Sequence, residues 1–237
     1  MLATRVVGRD RELGALRSAL AAATERRGSV GFLVGEAGIG KSRLAQLTAA
    51  DARSGGMAVL RGRAVRTATP VAYRPLAEAL CSAVRVGGVP DAPALTPFRA
   101  TLGRLIPEWH VEGQGRVEDS VVALAEAVLR FLREVADGRG CLVVMEDLHW
   151  ADPETLTILE YLADNLTSEA VLCLGTLRAE GHPPACGVSG RQLGQTGLAD
   201  ARFTHQKGDA PPALGGRRQC GTKRAQLPVS SNDAGGK

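Results

Sequence analysis

Aromatic side chains are scarce: Phe, Trp and Tyr together make up 3% of the 237 residues, so any core has to be aliphatic, built from Leu, Val and Ala. Long apolar runs are missing as well. None approaches the roughly 18–20 residues of a membrane helix, and the charged start, Met1 to Glu12, lacks the apolar stretch of a secretory signal. Cysteines are few and odd in number (Cys81, Cys141, Cys173, Cys186 and Cys220), with no C-x-x-C pair, which argues against a disulfide framework or a zinc site. A cytoplasmic location follows as the expectation, with no membrane partner. The formal net charge of +4 is confined to the tail: residues 179–237 carry 8 basic and 4 acidic side chains, whereas residues 1–178 are balanced. That excess is scattered and has almost no aromatics to stack on bases, so no nucleic-acid patch is expected.

What is present divides at about residue 178. Before it, 57 of 178 residues are Ile, Leu, Val, Met, Phe, Trp or Tyr; after it, 7 of 59. The tail shows neither helical nor strand periodicity and carries too little apolar surface to offset its ordering entropy, so 179–237 reads as disordered. The first part alternates. Helical patterns cover 10–27, 41–53, 75–84, 98–106, 117–135 and 153–166, and short apolar strands cover 30–34, 57–60, 141–145 and 171–174. This alternation predicts an α/β, three-layer fold with a mainly parallel sheet covered on both faces.

The motif with the most specific chemistry is Gly35-Glu36-Ala37-Gly38-Ile39-Gly40-Lys41-Ser42. It matches G-x-x-x-x-G-K-[ST] between a strand and a helix. Backbone N–H groups of such a loop converge on phosphate, Lys41 adds a charge at the β- and γ-phosphates, and Ser42 offers a hydroxyl to Mg²⁺. Downstream, the apolar strand 141–145 ends in Glu146 and Asp147, where P-loop enzymes place an acid that holds Mg²⁺ and polarises water. Asp152-Pro153-Glu154 reads more simply as a helix start, and a lone His149 as structural. Arg178 closes the fourth strand at the same sheet edge.

Taken together, Val7-Gly8-Arg9-Asp10-Arg11-Glu12-Leu13, the P-loop, Glu146-Asp147-Leu148-His149-Trp150-Ala151-Asp152 and Thr176-Leu177-Arg178 resemble the STAND class of AAA-related P-loop ATPases. More narrowly, the chain is similar to the origin-recognition-like ATPase module at the N-terminus of large LuxR-type, MalT-like actinobacterial regulators. Gly62-Arg63-Ala64 and Tyr73-Arg74-Pro75-Leu76 fit the same proteins. The resemblance covers residues 5–178. It implies ATP and Mg²⁺ as ligands, Val7, Gly8 and Arg9 on the adenine side, Gly35 to Ser42 around the phosphates, and Arg178 as a sensor. One departure stands out. The family's usual order is Asp followed by Asp or Glu, whereas here Glu146 precedes Asp147, which leaves the Mg²⁺ and water roles open between them.

In that family a fifth strand, a helical lid, a winged helix, repeats and a DNA-binding helix-turn-helix follow; none is visible here. No direct DNA contact is therefore expected, and self-association belongs to a full-length relative. The abrupt end of the resemblance suggests a frame-shifted tail and a truncated module. By the family's strand order, the sheet would then be incomplete and its first strand left as an open edge, giving a marginally stable product. The functional expectation is an Mg-ATP-dependent regulatory switch with slow hydrolysis. The alternatives are a turnover ATPase or small-molecule kinase, or a remnant without independent function.

Overall fold

The computed structural model describes residues 9–68, 71–88, 90–109 and 120–178, together with the backbone of 202–206. Helix α1 (Asp10–Thr24) precedes strand β1 (Ser29–Gly35), helix α2 (Lys41–Ser54), strand β2 (Ala58–Arg63) and helix α3 (Arg74–Gly87). A short α4 (Arg99–Leu102) follows, then α5 (Val121–Ala136), β3 (Cys141–Glu146), α6 (Pro153–Asn165), β4 (Val171–Arg178) and β5 (Arg202–Gln206). The sheet order is β2-β3-β4-β1-β5, with the first four strands parallel.

Period-two alternation in β3 divides the core between the two sheet faces. Leu142 and Val144 pack with Leu16, Leu20 and Leu44 of α1 and α2. Cys141, Val143 and Met145 pack with Leu76 and Leu80 of α3, Leu124 and Leu132 of α5, and Leu159 of α6. Helices thus cover both faces of a sheet whose central strands are apolar until their carboxyl ends, as a parallel sheet requires. The three-layer α/β expectation holds. Cys141 and Cys173 are free and buried on neighbouring strands, and burial pushes both thiols up, Cys173 to about 12.

Of the element boundaries that differ from the sequence pattern, two have plain physical reasons. The helix expected over 98–106 is a 3₁₀ turn (Pro93–Phe98) plus the single turn of α4, interrupted by Pro97 and followed by Gly103. Strand β2 runs past Leu60 through Arg63, because pairing with β3 sets its length: Arg61 lies opposite Val144 and Arg63 opposite Glu146.

The open edge expected at β1 is corrected. Residues 202–206 pair antiparallel with it, from Val30 opposite Gln206 to Val34 opposite Arg202. An unpaired row of N–H and C=O groups templates such pairing through the backbone, with little demand on side-chain pattern, which is why no strand pattern is visible there.

Gly62 fixes how closely α3 approaches β2. A Cβ at this position would lie 1.8 Å from the carbonyl oxygen of Pro75, backbone against backbone. Gly62→Ala should therefore cost about 3 kcal/mol through overpacking. For a chain of this size that lowers the melting temperature by roughly 6–12 °C, as a thermal melt followed by circular dichroism would show.

Candidate functional site

The carboxyl ends of the parallel strands bring the motifs together, the edge where ligands of open α/β sheets bind. Between β1 and α2 the loop turns on Gly38 (φ 78°) and Gly40 (φ 95°), left-handed positions that favour glycine for its backbone freedom, since a Cβ at either would meet nothing within 4 Å. Glu36, Ala37, Gly38, Gly40 and Ser42 are exposed and Ile39 half-buried, so the loop presents itself to solvent. Lys41, by contrast, is buried at 8% exposure. Its Nζ donates to the carbonyl oxygens of Gly35 (2.8 Å) and Glu36 (2.6 Å). Burial pulls the Lys41 ammonium below its ordinary range, the Arg178 charge adds to this, and Asp147 opposes it. Two cations whose charges act on each other favour an anion nearby.

Arg178 stands at the end of β4, opposite Gly35 in the β1 register. Arg9 reaches the phosphate loop from the other side: its Nη2 donates to the Ile39 carbonyl (3.3 Å) and its Nη1 pairs with Glu12 (3.2 Å). Val7 and Gly8 lie outside the described residues.

The two acids after β3 have different surroundings. Glu146 Oε1 accepts from Arg61 Nη2 at 2.5 Å. Asp147 sits in the left-handed region (φ 58°, ψ 37°), and its N–H donates to the buried Thr176 hydroxyl at 3.0 Å. Its Oδ2 accepts from Arg63 Nε (2.9 Å) and Nη2 (2.7 Å), a contact that raises the Arg63 pKa. Asp147 is the acid whose charge reaches both Lys41 and His149. Sequence reasoning assigned no role to Arg61, Arg63 or Thr176. The hints were Gly62-Arg63-Ala64 and Thr176-Leu177-Arg178, which carry no spacing rule by themselves.

Asp152 is the helix cap that its context predicts. Oδ1 accepts from the Thr155 N–H (2.9 Å) and Oδ2 from the Thr155 hydroxyl (2.7 Å), in a site only 5% exposed. Asp152→Ala should lower stability by about 1–2 kcal/mol, read as a shift in the denaturant midpoint, while leaving nucleotide affinity unchanged.

Among the described residues, no three His, Cys, Asp or Glu side chains cluster to hold a metal ion. A magnesium ion here would draw ligands from bound phosphates and water as well as from Ser42 and the acids, in keeping with its preference for retaining water. No helix among these residues is long and apolar enough to cross a membrane.

A glycine loop between a strand and a helix, its lysine, and acids at the end of the next-but-one strand define a P-loop NTPase site. The chain belongs to the family described as the AAA ATPase domain, whose model matches residues 5–174. That membership implies nucleotide binding, with Mg²⁺ its usual companion. Among solved structures, a Walker-type ATPase of Pyrococcus abyssi is similar at 14% identity and a TM-score of 0.39, over 72% of this chain and 45% of that one. Drosophila ORC bound to AT-rich DNA and Cdc6 is similar at 12% identity and a TM-score of 0.36, over 75% and 52%. The chain thus spans about half the length of each. Comparison with curated proteins finds no match.

Proposed function

We propose that the chain binds Mg-ATP at this edge and serves as the nucleotide-dependent switch of a LuxR-type transcriptional regulator, hydrolysing ATP slowly. The observation that carries the binding reading is Lys41, buried beside Arg178 under an exposed glycine loop, with its charge turned onto loop carbonyls. Gly35 to Ser42 would receive the phosphates, Val7, Gly8 and Arg9 the adenine side, and Arg178 the γ-phosphate. Ser42 and Glu146 would hold Mg²⁺, and Asp147, nearer Lys41, would polarise the attacking water. The switch role rests on the sequence resemblance to STAND-class regulators. Slow hydrolysis agrees with Asp147, whose Oδ2 is engaged by Arg63.

Steady-state phosphate release separates this reading from a turnover ATPase or kinase. We expect slow release that small-molecule acceptors do not change. Fast turnover, or release that depends on an acceptor, would identify an enzyme instead.

A further inference from the structure

A second cleft, of about 260 Å³, opens beside the turn Leu148–Trp150, between the segment after β2 and the start of α3. No P-loop residue lines it. Two of the large hydrophobic residues that stay exposed, Val71 (56%) and Trp150 (40%), meet there. Arg66 and Arg74 line it too, both exposed and, among the described residues, with no carboxylate in ion-pair contact. The Arg66 guanidinium lies over the Trp150 ring, 5.1 Å from its centroid. Stacking of this kind holds the guanidinium plane while leaving its N–H edge free to donate. The remaining charge in the lining is Asp152, and both of its oxygens are occupied by Thr155. The two guanidiniums therefore outnumber the one carboxylate in the lining.

His149 also lines the cleft. Both ring nitrogens are buried and, among the described residues, neither has a hydrogen-bond partner, an arrangement that proteins rarely leave unsatisfied. Its ring lies against Trp150 at 5.0 Å and lines the same cleft.

We infer that this cleft binds a small organic carboxylate, a single anionic group on an apolar or aromatic body. The carboxylate would accept from Arg66 and Arg74, and the body would rest against Val71 and the Trp150 edge. The volume lies just below the ~300–1,000 Å³ of typical ligand pockets, which suits a small acid and excludes a nucleotide. The inference rests on the cleft alone and stands apart from the nucleotide reading.

Sodium benzoate is a suitable probe, followed by tryptophan fluorescence of the full chain. Trp109 is buried against Phe131, so quenching reports on Trp150. We expect saturable quenching by benzoate, with the neutral isostere benzamide at least about tenfold weaker. Inorganic phosphate, which lacks the apolar body, should be weaker as well. Arg66→Ala and Arg74→Ala should each lose about tenfold in benzoate affinity while keeping the wild-type circular dichroism spectrum and nucleotide affinity. Equal binding of benzoate and benzamide, phosphate binding as strong as benzoate, unchanged benzoate affinity in both arginine variants, or no saturable quenching would each overturn the proposal.

Discussion

Replacing Lys41 with alanine should lower nucleotide affinity about 10–100-fold, because a charge-assisted contact to phosphate is worth roughly 1.5–3 kcal/mol. The same change should barely affect the fold. The Lys41 side chain is buried beside Arg178, so removing it relieves both desolvation and repulsion, which offsets the two lost contacts to the Gly35 and Glu36 carbonyls. A fluorescent-ATP titration and a thermal melt on the same preparation separate the two effects. A large loss of affinity with a near-wild-type melting temperature places Lys41 on the phosphate. Unchanged affinity would remove it from the site, and a collapsed melting temperature would make its role structural.

Asp147→Asn should slow ATP cleavage by about a hundredfold in single-turnover experiments, the scale of losing a group that assists proton transfer. It should leave Mg-ATP affinity within a few-fold of wild type. The ion pair to Arg63 that the change also removes is largely solvent-exposed on the arginine side, at 62%, so its contribution to stability is about 1 kcal/mol or less. Glu146→Gln should behave differently: the ratio of affinities measured with Mg²⁺ and with EDTA should fall about tenfold, the loss of one charge-assisted contact. The distinction follows from position. Asp147 turns off the strand in the left-handed region and its charge acts on Lys41, whereas Glu146 stays on β3 and pairs with Arg61. If Asp147→Asn instead abolishes the Mg²⁺ dependence, the two roles are reversed.

The parts of the site legible in the sequence were those carried by local chemistry. A glycine loop ending in Lys41-Ser42 can be recognised without knowing what lies beside it, because strand, loop and helix are contiguous. The acids at the end of β3 were legible for the same reason: an apolar run stops at them. Asp152-Pro153 declared its own cap. What remained hidden depended on partners distant in the chain. Arg61 and Arg63 meet Glu146 and Asp147 across 85 and 84 residues, and β2 extends to them only because β3 lies alongside. The apolar pattern ends at Leu60, so the sequence offered no reason to continue the strand. The buried Thr176 hydroxyl under the Asp147 N–H is another contact set by strand neighbours rather than by spacing. Strand β5 was illegible on different grounds, since backbone pairing along an edge needs no alternation to guide it.

The most direct test of the central claim is an equilibrium titration of the unmodified 237-residue chain with a fluorescent ATP analogue, in the presence and absence of Mg²⁺. The account predicts saturable one-to-one binding, displaced by unlabelled ATP and strengthened by Mg²⁺. Absence of saturable binding by a folded chain, or binding that unlabelled ATP does not displace, would contradict it.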